Sequence, residues 1–226
     1  MAELTLEEKV FLLSRNPTTG RDRATYGIDA ALGGAVLIGL ARRGCIRVVD
    51  GRVSREDAPG PADPPHREAL ALIESDPKAR KARRWVEVLP RKLALQERIG
   101  VALAEKGLVS DGRSRFLGFT QKKFPRTETG DEVVRPLERV VVDALTGRDL
   151  APTEDTKLLA SLLAVSQLLN RFVEGPERKA ARRRAKAFTE EEPLNDAVAA
   201  SVKAAEAAIM ATIAAVAASG SAGAGS

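Results

Sequence analysis

The sequence predicts a mostly α-helical protein: a single compact helical domain around a buried central helix, with two small β-hairpins. Three observations carry this reading. Residues 26–43, YGIDAALGGAVLIGLARR, are apolar almost all round, as befits a helix in the middle of a molecule. Apolar residues recur at helical spacing through most of the remaining chain. Finally, Asp50-Gly51 and Asp111-Gly112 are each flanked by strand-like residues, the short-range signal of a hairpin.

The elements follow in order. Thr5 and Glu8 have the spacing of a capping box, after which Leu6, Val10 and Leu13 share one helical face, and Asn16-Pro17 closes that helix. In the central helix Gly33, Gly34 and Gly39 each cost about 1 kcal/mol of helix propensity, so close approach by neighbouring elements is expected as compensation. Gly44 suits the position just past its end. CIRVV and RVS around Asp50-Gly51 form the first hairpin, and residues 55–65, rich in Pro, Gly and Asp, form a loop. Helices fit 66–75, about 79–89 and 91–106, the last ending at Gly107. A second hairpin signal follows in LVSDGRSRFLGF, so the order helix, Gly, strand, Asp-Gly, strand occurs twice as a weak internal echo.

The rest reads as helix. Pro136 suits a first helical position, with Leu137, Val140, Val141, Ala144 and Leu145 as its stripe and Gly147 as its stop. Thr153 opens a helix too apolar for a surface, a basic helix covers about 176–188, and Val198, Val202, Ala205, Ile209 and Val216 line the final one. Residues 1–217 are taken as one domain. The Gly/Ser/Ala-rich residues 218–226 have nothing to bury and are expected to be a disordered tail.

Composition narrows the function. With 36 basic and 31 acidic residues the net charge is +5, a mild bias toward anionic partners. A lone cysteine, Cys45, leaves no intramolecular disulfide and no cysteine-rich metal site. The acidic N-terminal stretch MAELTLEEKV is unlike a secretory signal. The longest uncharged C-terminal run, residues 207–218, is 12 residues, short of the roughly 20 that span a bilayer.

No phosphate loop, dinucleotide fingerprint, HExxH, GxSxG or CxxC pattern occurs, so neither an enzyme, a cofactor nor a metal is expected. The one histidine, His66, follows a run of prolines, where a helix start explains it. Two basic clusters remain. Lys78, Arg80, Lys81, Arg83 and Arg84 precede Trp85, and Arg178, Lys179, Arg182, Arg183, Arg184 and Lys186 share a helix; a solvated helix face is the plain reading of both.

Three segments together carry a family resemblance: LTLEEKVFLL near the start, AVLIGLARRGCIRV in the central helix and hairpin, and LQERIGVALAEKGLV before the second hairpin. In order and approximate separation they resemble the Golgi phosphoprotein 3 family, over residues 4 to about 217. The resemblance implies a mostly helical, cytosolic peripheral membrane protein. Golgi members bind phosphatidylinositol 4-phosphate in a basic pocket, insert a hydrophobic β-hairpin into the bilayer and gather glycosyltransferases by their tails.

On that resemblance the hairpin corresponds to FLGFTQKKFPRT, with Phe119 and Phe124 apolar and Lys122, Lys123 and Arg126 for headgroups. Phe124 is then the wedge, unless a neighbouring helix or subunit covers it. The family's four headgroup positions fall on Ala24, Gly33, Leu93 and Gln96, none of which matches. Arg21, Arg23, Arg91, Lys92 and Arg98 lie near them in sequence and are the candidate headgroup-binding residues of a different anion pocket. Composition is that of a high-GC bacterial member, which would place the protein on the inner membrane surface.

The leading expectation is therefore a cytoplasmic module for anionic phospholipid, with tails of membrane proteins as further partners. A winged-helix-like nucleic-acid binder is the alternative, with helices 79–89 and 91–106 and the basic hairpin as recognition helix and wing. An assembly scaffold, a homo-oligomer joined through the last helix, is the third.

Overall fold

The computed structural model describes residues 4–21, 27–116, 119–190 and 197–222. Helix α1 (Leu6–Ser14) starts at the expected capping box: the Glu8 amide donates to Thr5 Oγ1 at 3.3 Å and the Thr5 amide to Glu8 Oε2 at 3.0 Å. Helix α2 (Ile28–Arg42) is the buried centre, with Leu32, Ala35, Val36, Leu37, Ile38 and Leu40 all inaccessible. It ends as its sequence dictates. Gly44 is left-handed at φ 68°, and the Cys45 amide reaches back to Leu40 O at 2.9 Å, closing a Schellman motif.

Strands β1 (Ile46–Val49) and β2 (Arg52–Arg55) pair antiparallel, with Val49 opposite Arg52. Asp50 at φ 50° and Gly51 at φ 70° make the two-residue turn. Helices α3 (Pro64–Ser75), α4 (Ala82–Lys92) and α5 (Leu95–Glu105) follow, α4 running through Pro90 and parting from α5 at Ala94, φ 47°. Strands β3 (Gly112–Phe116) and β4 (Phe119–Lys123) form the second hairpin. Then come α6 (Glu128–Thr146), α7 (Glu154–Val165), a 310 turn (Leu168–Arg171), α8 (Glu177–Glu190) and α9 (Ala197–Ala222). The fold is mostly α with two two-stranded sheets among the described residues.

The glycines of α2 admit its neighbours. A Cβ on Gly34 would stand 2.2 Å from Ile213 Cδ1 of α9, and one on Gly39 2.2 Å from His66 Nε2 of α3. One on Gly33 would stand 2.6 Å from Val86 O of α4. That carbonyl lacks its usual helical donor, which would be the amide of Pro90. The proline of α4 and the glycine of α2 thus act together: one leaves a carbonyl without that donor, the other lets a helix pack against it.

Four expectations change. Asp111-Gly112 is not the turn of the second hairpin: Gly112 pairs with Lys123 and the ladder runs on to Phe116 opposite Phe119, residues 117 and 118 between them lying outside the described residues. Pro136 does not begin α6; Thr127 caps it, Oγ1 accepting from the Gly130 amide at 3.0 Å, and Pro136 lies inside. Helix α9 continues to Ala222, into the segment expected to be a disordered tail, because alanine sustains a helix through the single Gly220. Its stretch Ser201–Ser219 is also long and apolar enough to cross a membrane by length and composition. Here one stripe of it, Ala205, Ile209, Met210, Ile213 and Ala217, packs into the core. Glu206 meets Arg42 at 2.6 Å and Lys203 meets Glu154 at 2.7 Å, which ties the helix down on the domain.

Candidate functional site

The second hairpin rises from a base that the sequence alone did not reveal. Phe124, just past β4, is 3% exposed; its ring stands 5.8 Å from that of Phe11 in α1, and a Cβ on Gly100 of α5 would fall 2.5 Å from it. The ring is a core residue, so the wedge role expected of Phe124 is withdrawn. The reason is long-range: α1 and α5 leave a slot, opened by Gly100, that the aromatic fills.

Arg126 changes in the same way. Its side chain is 4% exposed and donates to Leu12 O at 2.8 Å and to Glu138 at 3.1 Å. It satisfies a C-terminal carbonyl of α1 and ties α6 to it, and a lipid headgroup cannot reach it. Backbone bonds complete the base: the Ser110 amide donates to Pro125 O at 2.8 Å and the Arg126 amide to Pro17 O at 3.0 Å.

Above this base the ladder pairs Gly112 with Lys123, Arg113 with Lys122, Ser114 with Gln121, Arg115 with Thr120 and Phe116 with Phe119. Two consequences follow from register alone. Phe116 and Phe119 are the last pair of the ladder, and the sequence from one to the other is Phe-Leu-Gly-Phe. Arg113 and Lys122 are cross-strand partners, so two residues of basic type stand opposite in the register. Phe119 and Lys122 keep their expected place on the hairpin, and Lys123 closes its base, half-buried; Arg113, Arg115 and Phe116 join them, which the sequence reading did not single out.

Of the candidate headgroup residues, Arg21 is exposed and adjoins the base: its neighbour Gly20 would place a Cβ 2.2 Å from Pro125 N. Arg23 lies outside the described residues. Arg91 and Lys92 are exposed at the end of α4, and nothing brings them to the hairpin. Arg98 is engaged elsewhere, gripping Glu68 of α3 with two bonds of 2.5 and 2.7 Å. The five residues therefore do not form one pocket among the described residues.

The four positions where the family's headgroup residues would fall serve other ends. Ala24 is outside the described residues, Gly33 is closed by α4, and Leu93 is buried. Gln96 donates to Asp29 at 2.7 Å and accepts from Arg15 at 2.6 Å, joining α5 to the start of α2 and the end of α1.

Part of each basic cluster is engaged within the fold. Arg80 pairs with Asp76 and Arg83 with Glu87, both at 2.9 Å, and Trp85 is in the core. On α8, Arg178 donates to Val173 O at 2.9 Å, Arg182 to Asn170 Oδ1 at 3.0 Å and Arg184 to Leu145 O at 3.2 Å.

The family model for Golgi phosphoprotein 3 (GPP34) matches residues 6–208. Curated proteins give no match. With the match running from α1 into α9 and so taking in the central helix and both hairpins, the chain belongs to the Golgi phosphoprotein 3 family.

Proposed function

We propose that the protein is a non-enzymatic peripheral membrane module that docks on anionic phospholipid through the β3–β4 hairpin. The observation that carries this reading is the register. It sets Phe116 opposite Phe119 at the tip and Arg113 opposite Lys122 behind it. An apolar tip followed by paired cations suits a bilayer whose acyl region and phosphate layer lie in the same order. Each cation near an anionic surface contributes about 1 kcal/mol, and each buried phenyl ring a further few. The fixed base at Phe124 and Arg126 supplies the rigid mount.

Phosphatidylinositol 4-phosphate enters through family resemblance alone. Gly33, Leu93 and Gln96 offer it no cation, so the chain's own residues support recognition by charge density, with exposed Arg21 beside the base as a contributor. Placement on the cytoplasmic face of a membrane, and capture of membrane-protein tails, belong to the same reading.

Vesicle co-sedimentation tests it, with phosphatidylcholine alone and with added phosphatidylserine or phosphatidylinositol 4-phosphate. Wild type should pellet only with anionic vesicles. Phe116→Ser/Phe119→Ser and Arg113→Glu/Lys122→Glu should each remain in the supernatant while staying folded. Equal pelleting of all three forms would overturn the reading, and salt-sensitive binding of duplex DNA without vesicle binding would favour the nucleic-acid alternative.

A further inference from the structure

A second constellation lies apart from the hairpin and independent of the lipid reading. Asp63 is the N-cap of α3, Pro64 and Pro65 fill its first two positions, and His66 comes third. The His66 ring is 1% exposed. Its Nδ1 is hydrogen-bonded to Asp63 Oδ2 and stands 3.7 Å from Oε1 of Glu7, itself 3% exposed, in the first turn of α1. The three donor atoms lie within 4.8 Å of one another.

Three features of this group exceed what a helix start needs. Two carboxylates, one of them fully enclosed, converge on a single ring nitrogen that carries at most one proton. Asp63 holds the capping position yet caps no backbone amide, its carboxylate being turned to the ring. And Nε2 of the same enclosed ring has no hydrogen-bond partner, pressed instead on Gly39. Beside it opens a cavity of about 300 Å³ whose wall includes Glu7, Gly39, His66, Thr5, Lys9 and Arg43.

We infer that Glu7, Asp63 and His66 form a three-ligand site for a borderline divalent transition-metal ion, such as zinc, with a further coordination position open to water from the cavity. One imidazole nitrogen and two carboxylates are a mixed set suited to such an ion, and too few oxygens for calcium. Two carboxylates balance its charge. The Arg43 guanidinium, Nη2 3.4 Å from Asp63 Oδ1, holds the outer oxygen and leaves Oδ2 turned inward, the kind of second partner that orients a ligand. To bind the ion, the ring takes the neutral tautomer that carries its one proton on Nε2 and offers the Nδ1 lone pair.

The alternative is a histidine held between the two carboxylates by hydrogen bonding alone, with no ion. Full-length protein stripped with a chelator and titrated with Zn2+ by calorimetry separates the two. Uptake of one ion per chain is expected, with a rise in Tm and, for Co2+ as a probe, visible absorption bands. His66→Leu and Asp63→Asn should bind about 100-fold more weakly or worse, since loss of even an outer partner costs up to that order. Asp63 is 34% exposed, so Asp63→Asn keeps the test readable should His66→Leu fail to fold. Absence of saturable uptake by wild type, or undiminished affinity in folded Asp63→Asn, overturns the inference.

Discussion

The ring of Phe124 meets the ring of Phe11 edge-on, at 5.8 Å and 67°, and this contact joins the end of the second hairpin to the first helix of the chain. Phe124→Ala removes it together with the filling of the Gly100 slot. The expected loss is about 3–5 kcal/mol of unfolding free energy, as for other enclosed phenylalanines. Gly100→Ala attacks the same slot from the other side and should cost about 1–3 kcal/mol through overpacking. Urea denaturation measures both. The folded fraction of Phe124→Ala should still pellet with anionic vesicles, which separates the mount from the tip.

Arg98 offers the converse control. Its two bonds to Glu68 hold that carboxyl below the ordinary carboxylate range. Arg98→Ala should therefore leave vesicle binding unchanged, whereas Arg113→Glu/Lys122→Glu abolishes it. Co-sedimentation of the two variants in parallel decides whether the lipid-facing charge is on the hairpin or on α5.

The helix contact at Gly33 allows a sharper test of packing. With Val86 O only 2.6 Å from the added carbon, Gly33→Ala must push α4 off α2. A loss of about 1–3 kcal/mol is expected, despite the gain in helix propensity that alanine brings. Thermal unfolding followed by circular dichroism would show a lower Tm; an unchanged or higher one would mean the helices stand further apart.

Acid stability should carry the signature of Glu154. Hydrogen bonds from Lys203 at 2.7 Å, first, and from Lys157 at 2.9 Å hold its carboxyl below its ordinary value. A depressed folded-state pKa stabilises above the unfolded value, and the contribution is lost as pH falls through the folded one. Because Glu154 is 57% exposed, solvent screening keeps the effect under about 1 kcal/mol. Glu154→Gln should lower stability at neutral pH and make no difference at about pH 3, where both chains carry a neutral group. Chemical denaturation at the two pH values measures it.

What was legible in the sequence was chemistry settled within a few residues. Thr5 and Glu8 cap each other across one turn, Gly44 ends α2 by its own left-handed backbone, and Asp50-Gly51 makes its own turn. The glycines of α2 were also readable, since a glycine inside a helix implies a close neighbour, though which neighbour was not. The misreadings have the opposite character. Asp111-Gly112 has a turn's composition but sits at the foot of a ladder set by pairing with Lys123. Phe124 and Arg126 looked like a surface motif because their partners, Phe11, Gly100, Leu12 and Glu138, are supplied by three separate helices. Gly100 carried the missing signal: the rule that exposed the neighbours of Gly33 and Gly34 applied equally to α5.

The arrangement of α2 against α9 bears on how the protein comes into being. The central helix is made early, yet Gly34 receives Ile213 from a helix that comes much later in the chain. Until that later helix is in place, one flank of the core is bare. The core therefore closes by a contact made across nearly the whole length of the domain, which local helix formation cannot anticipate.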